Sequence, residues 1–282
     1  MSLYLFVEYI ENLIFLDISA CEVIMEQKKQ SKFADQMRIE QNIIEGIDYK
    51  ESQNFLEENI IQQTSPSILL RLMSLYSHTQ DGLNASTYKN LLTLFLQSFG
   101  HEHIITLFNL KKLGLFTEYN QNVNLTVQSP NNSLNSSGFA KVTSVISSNK
   151  KFRSLVKRLN LIPQITDSYD VRNPPDSGYV FGGTYIPVVC RLVEILALKS
   201  ISDDLIKYIP GDYASSNRNE QTLTSLSQQA NQTLLVYFIG GVTYAEISAL
   251  RFLAKQKNIK ILIATTNVIN GNNFMKNLMP QL

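Results

Sequence analysis

Apolar positions recur with a helical period through the first half of the chain and condense into short unbroken runs near its carboxy end. The pattern therefore predicts helices first and buried strands last. In residues 33–62 the apolar set Met37, Ile39, Ile43, Ile44 and Ile47 is interrupted at Gly46 and Asp48. It resumes with Phe55, Leu56, Ile60 and Ile61, which predicts helix, turn, helix. Ser65-Pro66 predicts a helix start, with serine free to cap and proline in the first turn, where its missing N–H is not needed. That helix presents Ile68, Leu69, Leu72, Met73 and Tyr76 and ends at Asp81-Gly82. Further helices are expected from Tyr88 to Phe99, stopped by Gly100, and from Glu102 to Lys112, stopped by Gly114. Residues 33–116 are thus expected to form one compact, all-helical unit with short connections.

From Glu118 to Lys150 the composition shifts to asparagine and serine with few large apolar residues, which predicts a long flexible loop. A short basic amphipathic helix follows, Lys150 to Leu161, with Phe152, Leu155, Val156 and Leu159 on one stripe. Pro163 and then Pro174-Pro175 break it. Gly182-Gly183-Thr184-Tyr185-Ile186-Pro187 leads into a helix carrying Val188, Arg191, Leu192, Ile195 and Leu196, and residues 211–232 read as a second polar loop. Leu234 to Ile239 is a continuous apolar run of the kind that forms a buried parallel strand. Gly240-Gly241 makes a turn, residues 244–256 form a helix, and Ile259 to Ala264 is a second buried strand. This is one βαβ unit, which a right-handed crossover lays side by side in a parallel sheet. Two strands cannot cover themselves, so the layer is expected to be incomplete. No internal repeat is present.

Composition narrows the function classes. The 282 residues are 44% hydrophobic, ordinary for a globular chain, and length fits one large domain or two small ones. A net charge of +1 removes the electrostatic case for a dedicated nucleic-acid binder. The charge is uneven, however. Residues 1–60 hold 12 acids and 5 bases, and no acid occurs between Glu118 and Asp167, where Lys141, Lys150, Lys151, Arg153, Lys157 and Arg158 fall. That stretch reads either as a solvated face complementing the acidic amino-terminal part or as a docking surface for an acidic partner. Cys21 and Cys190 lie far apart among apolar neighbours and read as buried thiols of a reducing compartment. No apolar run approaches the roughly 18 to 20 residues that span a bilayer. The amino terminus carries Glu8 and Glu11 with no base before Lys28, unlike a secretory signal, so a cytosolic chain is expected. Asn-x-Ser/Thr triplets at Asn84, Asn124, Asn131, Asn135 and Asn231 are then chance products of an asparagine- and serine-rich sequence.

The residues that look chemical mostly have structural explanations. A strand, two glycines and a helix invite a phosphate-binding reading, and a small nucleotide-binding α/β enzyme using Gly240 and Gly241 is the rival function. Yet there is no P-loop Lys-Ser/Thr and no third glycine, and Thr243-x-x-Glu246 predicts a capping box that takes the donors a phosphate would need. His101-Glu102-His103 places its histidines on different faces of a helix, and His78 has no partner at ligand spacing. Asp203-Asp204 reads as a helix cap, and the Gly-x-Ser-x-Gly elbow is absent. No catalytic residue, cofactor-binding residue or metal ligand is assigned.

The stretch 234–253, Leu-Leu-Val-Tyr-Phe-Ile-Gly-Gly-Val-Thr-Tyr-Ala-Glu-Ile-Ser-Ala-Leu-Arg-Phe-Leu, resembles the carboxy-terminal signature of the Sec/Munc (SM) family of SNARE-assembly factors. The resemblance is nearest to its class C vacuolar protein sorting branch. Segments 39–48, 100–110, 177–194 and 263–271 fit in the same order, and the similarity runs from about residue 22 to 279. Its signature positions here are Gly240, Gly241, Thr243, Glu246 and Arg251, with structural roles.

The resemblance implies an α/β fold with a helical subdomain: an all-helical unit followed by a partial parallel sheet with flanking helices, an incomplete SM arch. In these terms residues 22–165 correspond to the helical part of domain three and residues 176–282 to the closing segment of domain two. Residues 1–21 match nothing and are expected to be non-native sequence, such as a mistaken start, in a truncated version of a longer protein. Counterparts of the syntaxin-clasping first domain and of most of the SNARE-templating hairpin are missing, so SNARE binding is expected to need them. The resemblance further implies a non-catalytic subunit of the HOPS and CORVET tethering complexes, peripheral at late endosome and vacuole or lysosome. There it is held by the carboxy-terminal helical region of class C subunit number sixteen. The surface expected to take a partner is the basic amphipathic helix, with Phe152, Leu155 and Val156 as apolar anchors and Lys151, Arg153 and Lys157 as rim. The alternative is that its stripe packs on its own domain.

Overall fold

The computed structural model describes residues 3–29, 31–119, 152–163, 174–198 and 233–279. Of the loop expected from Glu118 to Lys150 all but the first two residues, the loop expected over 211–232, the cap at Asp203-Asp204, Lys151 and the triplets other than the one at Asn84 lie outside the described residues. The chain divides into two compact units, Met1–Phe55 and Leu56–Leu282. The boundary falls inside the helix Tyr49–Ile61, and the first part of the helical unit expected over 33–116 groups with the amino-terminal helix.

In the first unit, α1 (Leu3–Lys29) packs on α2 (Ser31–Glu45), and α3 (Tyr49–Ile61) follows across the turn at Gly46 and Asp48. Of the apolar positions anticipated in α2, Ile39 and Ile43 are fully buried, one turn apart on one face, whereas Met37 and Ile47 are exposed. Arg38 on α2 pairs with Glu51 on α3 at 2.6 Å. Cys21, expected to be buried, is exposed, because α1 also leaves Phe15, Leu16, Ile18 and Val23 to Met25 uncovered.

The second unit begins with α4 (Pro66–Thr79), α5 (Ala85–Phe99), a single 3-10 turn His101–His103 and α6 (Ile104–Lys112). Pro66 stands at the first helical position as expected, but Ser65 makes no capping bond; its Oγ lies 3.0 Å from that of Ser67. Asn84 caps α5 instead, accepting from the Thr87 N–H at 2.8 Å. Inward faces repeat every three or four residues: Leu69, Leu70, Leu72, Met73 and Tyr76 on α4, Tyr88, Leu91 and Phe95 on α5, Leu107 and Leu110 on α6. Phe116 closes this core, stacked 4.8 Å from Tyr88. The basic helix α7 (Phe152–Leu159) stops two residues short of the expected end, at Asn160 in the left-handed region (φ 49°).

The α/β part contains a 3-10 turn, Ser177–Phe181, then α8 (Val188–Leu198), β1 (Thr233–Phe238), α9 (Tyr244–Lys257), β2 (Lys260–Thr265) and α10 (Gly271–Leu278). The strands pair in parallel, Thr233 opposite Lys260 through Phe238 opposite Thr265, a two-stranded sheet among the described residues. Helices α8 and α9, with Ile186 from the loop before α8, cover one face through Cys190, Val193, Ala249, Leu250 and Leu253, against which Leu234, Val236, Phe238, Ile261 and Ile263 pack. The other face is open: Leu235 is 63% and Tyr237 59% exposed. The strands expected to be buried are therefore half-buried on one side, where, among the described residues, the helices lie over them. Helix α10 packs back on α4 and α6, with Arg71 Nη1 donating to Asn272 Oδ1 at 3.2 Å.

Candidate functional site

The junction after β1 is closed by its own chain. The Gly240 N–H donates to Thr266 Oγ1 at 3.0 Å and the Val242 N–H to the Asn267 carbonyl at 3.1 Å, stitching this loop to the one after β2. Gly240 (φ 106°) and Gly241 (φ 141°) adopt backbone that L-residues avoid, and a Cβ at Gly241 would meet Ile269 at 3.0 Å. The anticipated capping box at the start of α9 is complete: the Glu246 N–H donates to Thr243 Oγ1 at 3.2 Å, and the Thr243 N–H donates to Glu246 Oε2 at 2.9 Å. The N–H donors of Gly240, Val242, Thr243 and Glu246 are thus occupied by protein acceptors. Arg251 is exposed on the outer side of α9.

The buried chemistry beneath the sheet is equally structural. Burial pushes the Cys190 thiol up to about 11, against a smaller opposing effect of its hydrogen bond with Ser177. Burial, followed by the nearby Glu246 charge, likewise raises Tyr185. Burial would also raise Glu194, but hydrogen bonds from Lys257 and Arg191 outweigh it and hold the carboxyl below its ordinary value. The first of these joins α9 to α8, with Lys257 Nζ 3.0 Å from Glu194 Oε1; the second lies within α8, with Arg191 Nη1 2.8 Å from Oε2. His103 is buried with its ring edge against Phe95 at 5.5 Å, while His101 and Glu102 face solvent. No group of three or more His, Cys, Asp or Glu residues able to hold a metal occurs among the described residues.

Surfaces offer more than pockets. On α7, Leu159 is buried and Phe152, Leu155 and Val156 are half-buried, while Arg153 and Lys157 are exposed. The Phe152 ring stands edge-on to His78 at 5.9 Å, so part of the apolar stripe already packs on α4. The structure thus brings the anchors Phe152, Leu155 and Val156 and the rim residues Arg153 and Lys157 onto one short helix whose inner side is engaged.

A second surface escaped the sequence reading. The inner face of α6 buries Thr106, Leu107 and Leu110, which turns Ile104 (51% exposed), Ile105 (62%) and Phe108 (62%) outward. Lys111 and Lys112 border this patch on the last turn, with the Lys111 ammonium 5.8 Å above the Tyr88 ring. The signal was present: Ile104-Ile105-x-Leu107-Phe108-x-Leu110 is apolar on more sides than one packed face consumes. Contiguous exposed apolar surface of this kind marks interaction sites.

Comparison with known proteins adds the wider context. The model of the Sec1 family matches residues 12–277, a span that begins before the similarity read from the residues and continues through helical and α/β parts alike. The chain is 38% identical over 274 residues to human vacuolar protein sorting-associated protein 33B, covering 94% of this chain and 44% of that protein. It is 30% identical to rat vacuolar protein sorting-associated protein 33A, with 93% and 40% covered. Against the Arabidopsis thaliana vacuolar protein-sorting-associated protein 33 homolog the identity is 31%, with 90% and 40% covered. The chain therefore spans less than half the length of these relatives.

Proposed function

This chain belongs to the Sec1 family, and from that premise we propose that it is part of a non-catalytic SM subunit of endolysosomal or vacuolar tethering complexes, HOPS or CORVET. In this reading the subunit supports SNARE assembly and vesicle fusion in vesicle-mediated protein transport, from the cytoplasmic side of late endosome and vacuole or lysosome membranes. Residues 22–165 serve as the helical part of the third domain and residues 176–282 as the closing segment of the second. One observation carries the reading: the family match runs unbroken in order from the helical half into the sheet, and the relatives along it bear vacuolar protein sorting names. No helix among the described residues is long and apolar enough to cross a membrane.

The partner we assign is the carboxy-terminal helical region of class C subunit number sixteen. Two surfaces support a helical partner: the apolar patch of α6, bordered by lysines, and α7, with Phe152, Leu155 and Val156 as anchors and Lys151, Arg153 and Lys157 as rim. Large apolar anchors ringed by polar residues dominate interface energies, each contributing roughly 1 to 3 kcal/mol or more. Pull-down of that helical region by the chain, as wild type, Phe108→Asp and Phe152→Asp, tests the assignment. Loss of capture in one variant identifies the docking surface, and retention by both sinks both surfaces. Failure of the wild type to capture sinks the partner itself.

A further inference from the structure

Helix α7 is held at its two ends by charges belonging to two other elements. At its start the Phe152 N–H donates to Asp81 Oδ1 at 2.7 Å, and Asp81 sits in the left-handed turn (φ 57°) just past α4. The first turn of α7 has no acid of its own. At its end the Asn160 carbonyl accepts from Arg191 Nη2 at 3.1 Å, and the Leu161 carbonyl accepts from the Ile186 N–H at 2.7 Å. A helix presents about half a positive charge at its amino end and half a negative one at its carboxy end. A carboxylate at the first and a guanidinium at the second are both favourably placed.

We propose that Asp81 and Arg191 clamp α7 as a separately releasable strap, joining the end of α4 to the start of α8 and leaving or rejoining the body without unfolding it. An eight-residue helix does not persist in water without tertiary support, so release and melting of α7 are one event. Its hold on the body is small in apolar terms: Leu159, with Leu161 just beyond, is fully buried, whereas its other apolar side chains are half-buried. Local opening of this kind draws on the least packed segments of a fold. The core beneath α9 and the α4–α5–α6 layer keeps its own packing when the strap is off.

Hydrogen exchange of the full chain, read at the amides of residues 156–161, tests the proposal. Asp81→Asn keeps an acceptor of the same shape and removes the charge, and should speed exchange there about two- to fivefold. Arg191→Met keeps the aliphatic stem and removes the donors, and should speed it about tenfold. In the unmodified chain, going from 0.1 to 1 M salt shortens the screening length from about 10 to about 3 Å and should speed α7 while α5 and β2 hold their rates. Unchanged exchange in both variants and at both salt levels would overturn the clamp. Acceleration of α7 only in step with α5 and β2 would overturn the strap, since it would mean that α7 leaves only when the body unfolds.

Discussion

Glu194 shows how little a residue's own type says about its chemistry until its neighbours are placed. Burial favours its neutral form, and the ammonium of Lys257 and guanidinium of Arg191 reverse that preference. A carboxyl held below its unfolded value contributes stability above that value, about 4.3 for glutamate, and loses the contribution as pH falls through the folded value. Denaturant midpoints should therefore separate wild type from Glu194→Gln at pH 7, with the gap narrowing below about pH 4. A gap independent of pH would show that the pair does not act through charge. Lys257 does not announce itself in the sequence as a partner, lying 63 positions from Glu194 in the numbering, whereas Arg191 stands three residues before it on the same helix. Cys21 and Cys190 make the same point: both have apolar chain neighbours, yet one is exposed and the other buried, because burial depends on which helix covers which.

At the scale of elements, features with local causes were readable. The Thr243 to Glu246 box spans one turn and needs nothing from elsewhere. Thr243→Val keeps the shape and removes the acceptor, and should lower stability by about 1 kcal/mol in a denaturant melt, with the α9 helix signal intact. A change near zero would mean that the box adds nothing beyond the backbone bonds Thr243 already makes. The pauses at Gly46, Gly100 and Gly114 likewise fall where helices end, all three glycines at positive φ. Ser65 misled because serine's preference for capping is a tendency, and here its hydroxyl meets Ser67. The patch on α6 was missed for a different reason. Ile104, Ile105 and Phe108 look like core, and only the position of Leu107 and Leu110 against the body tells which side is outside.

At the scale of the molecule, the β1–β2 layer is unfinished among the described residues: covered on one face, open on the other, with Ile239 beyond it 86% exposed. Open strand edges and apolar sheet faces invite association. The chain purified alone should self-associate in light scattering, and Leu235→Lys with Tyr237→Lys should reduce the association. Co-expression with the amino-terminal part of a relative should do the same. A monodisperse, cooperatively melting wild-type monomer would show that the layer needs no completion.

What the sequence determined by itself is whatever a few neighbouring residues settle between them: the helices between residues 33 and 112, the two strands, the capping box, the twin-glycine turn, the parallel βαβ unit and the order of segments shared with the Sec1 family, though not the helices Leu3–Lys29 and Gly271–Leu278. Periodicity and turn chemistry act within about one or two turns of chain, so they survive without knowledge of the fold. The tertiary structure alone decided which face of each element meets another. It set Cys21 outside and Cys190 inside, turned Phe108 to solvent, drew Lys257 to Glu194, and tied α7 between Asp81 and Arg191. Those outcomes depend on contacts between residues tens to more than a hundred positions apart, which packing selects and no local pattern records.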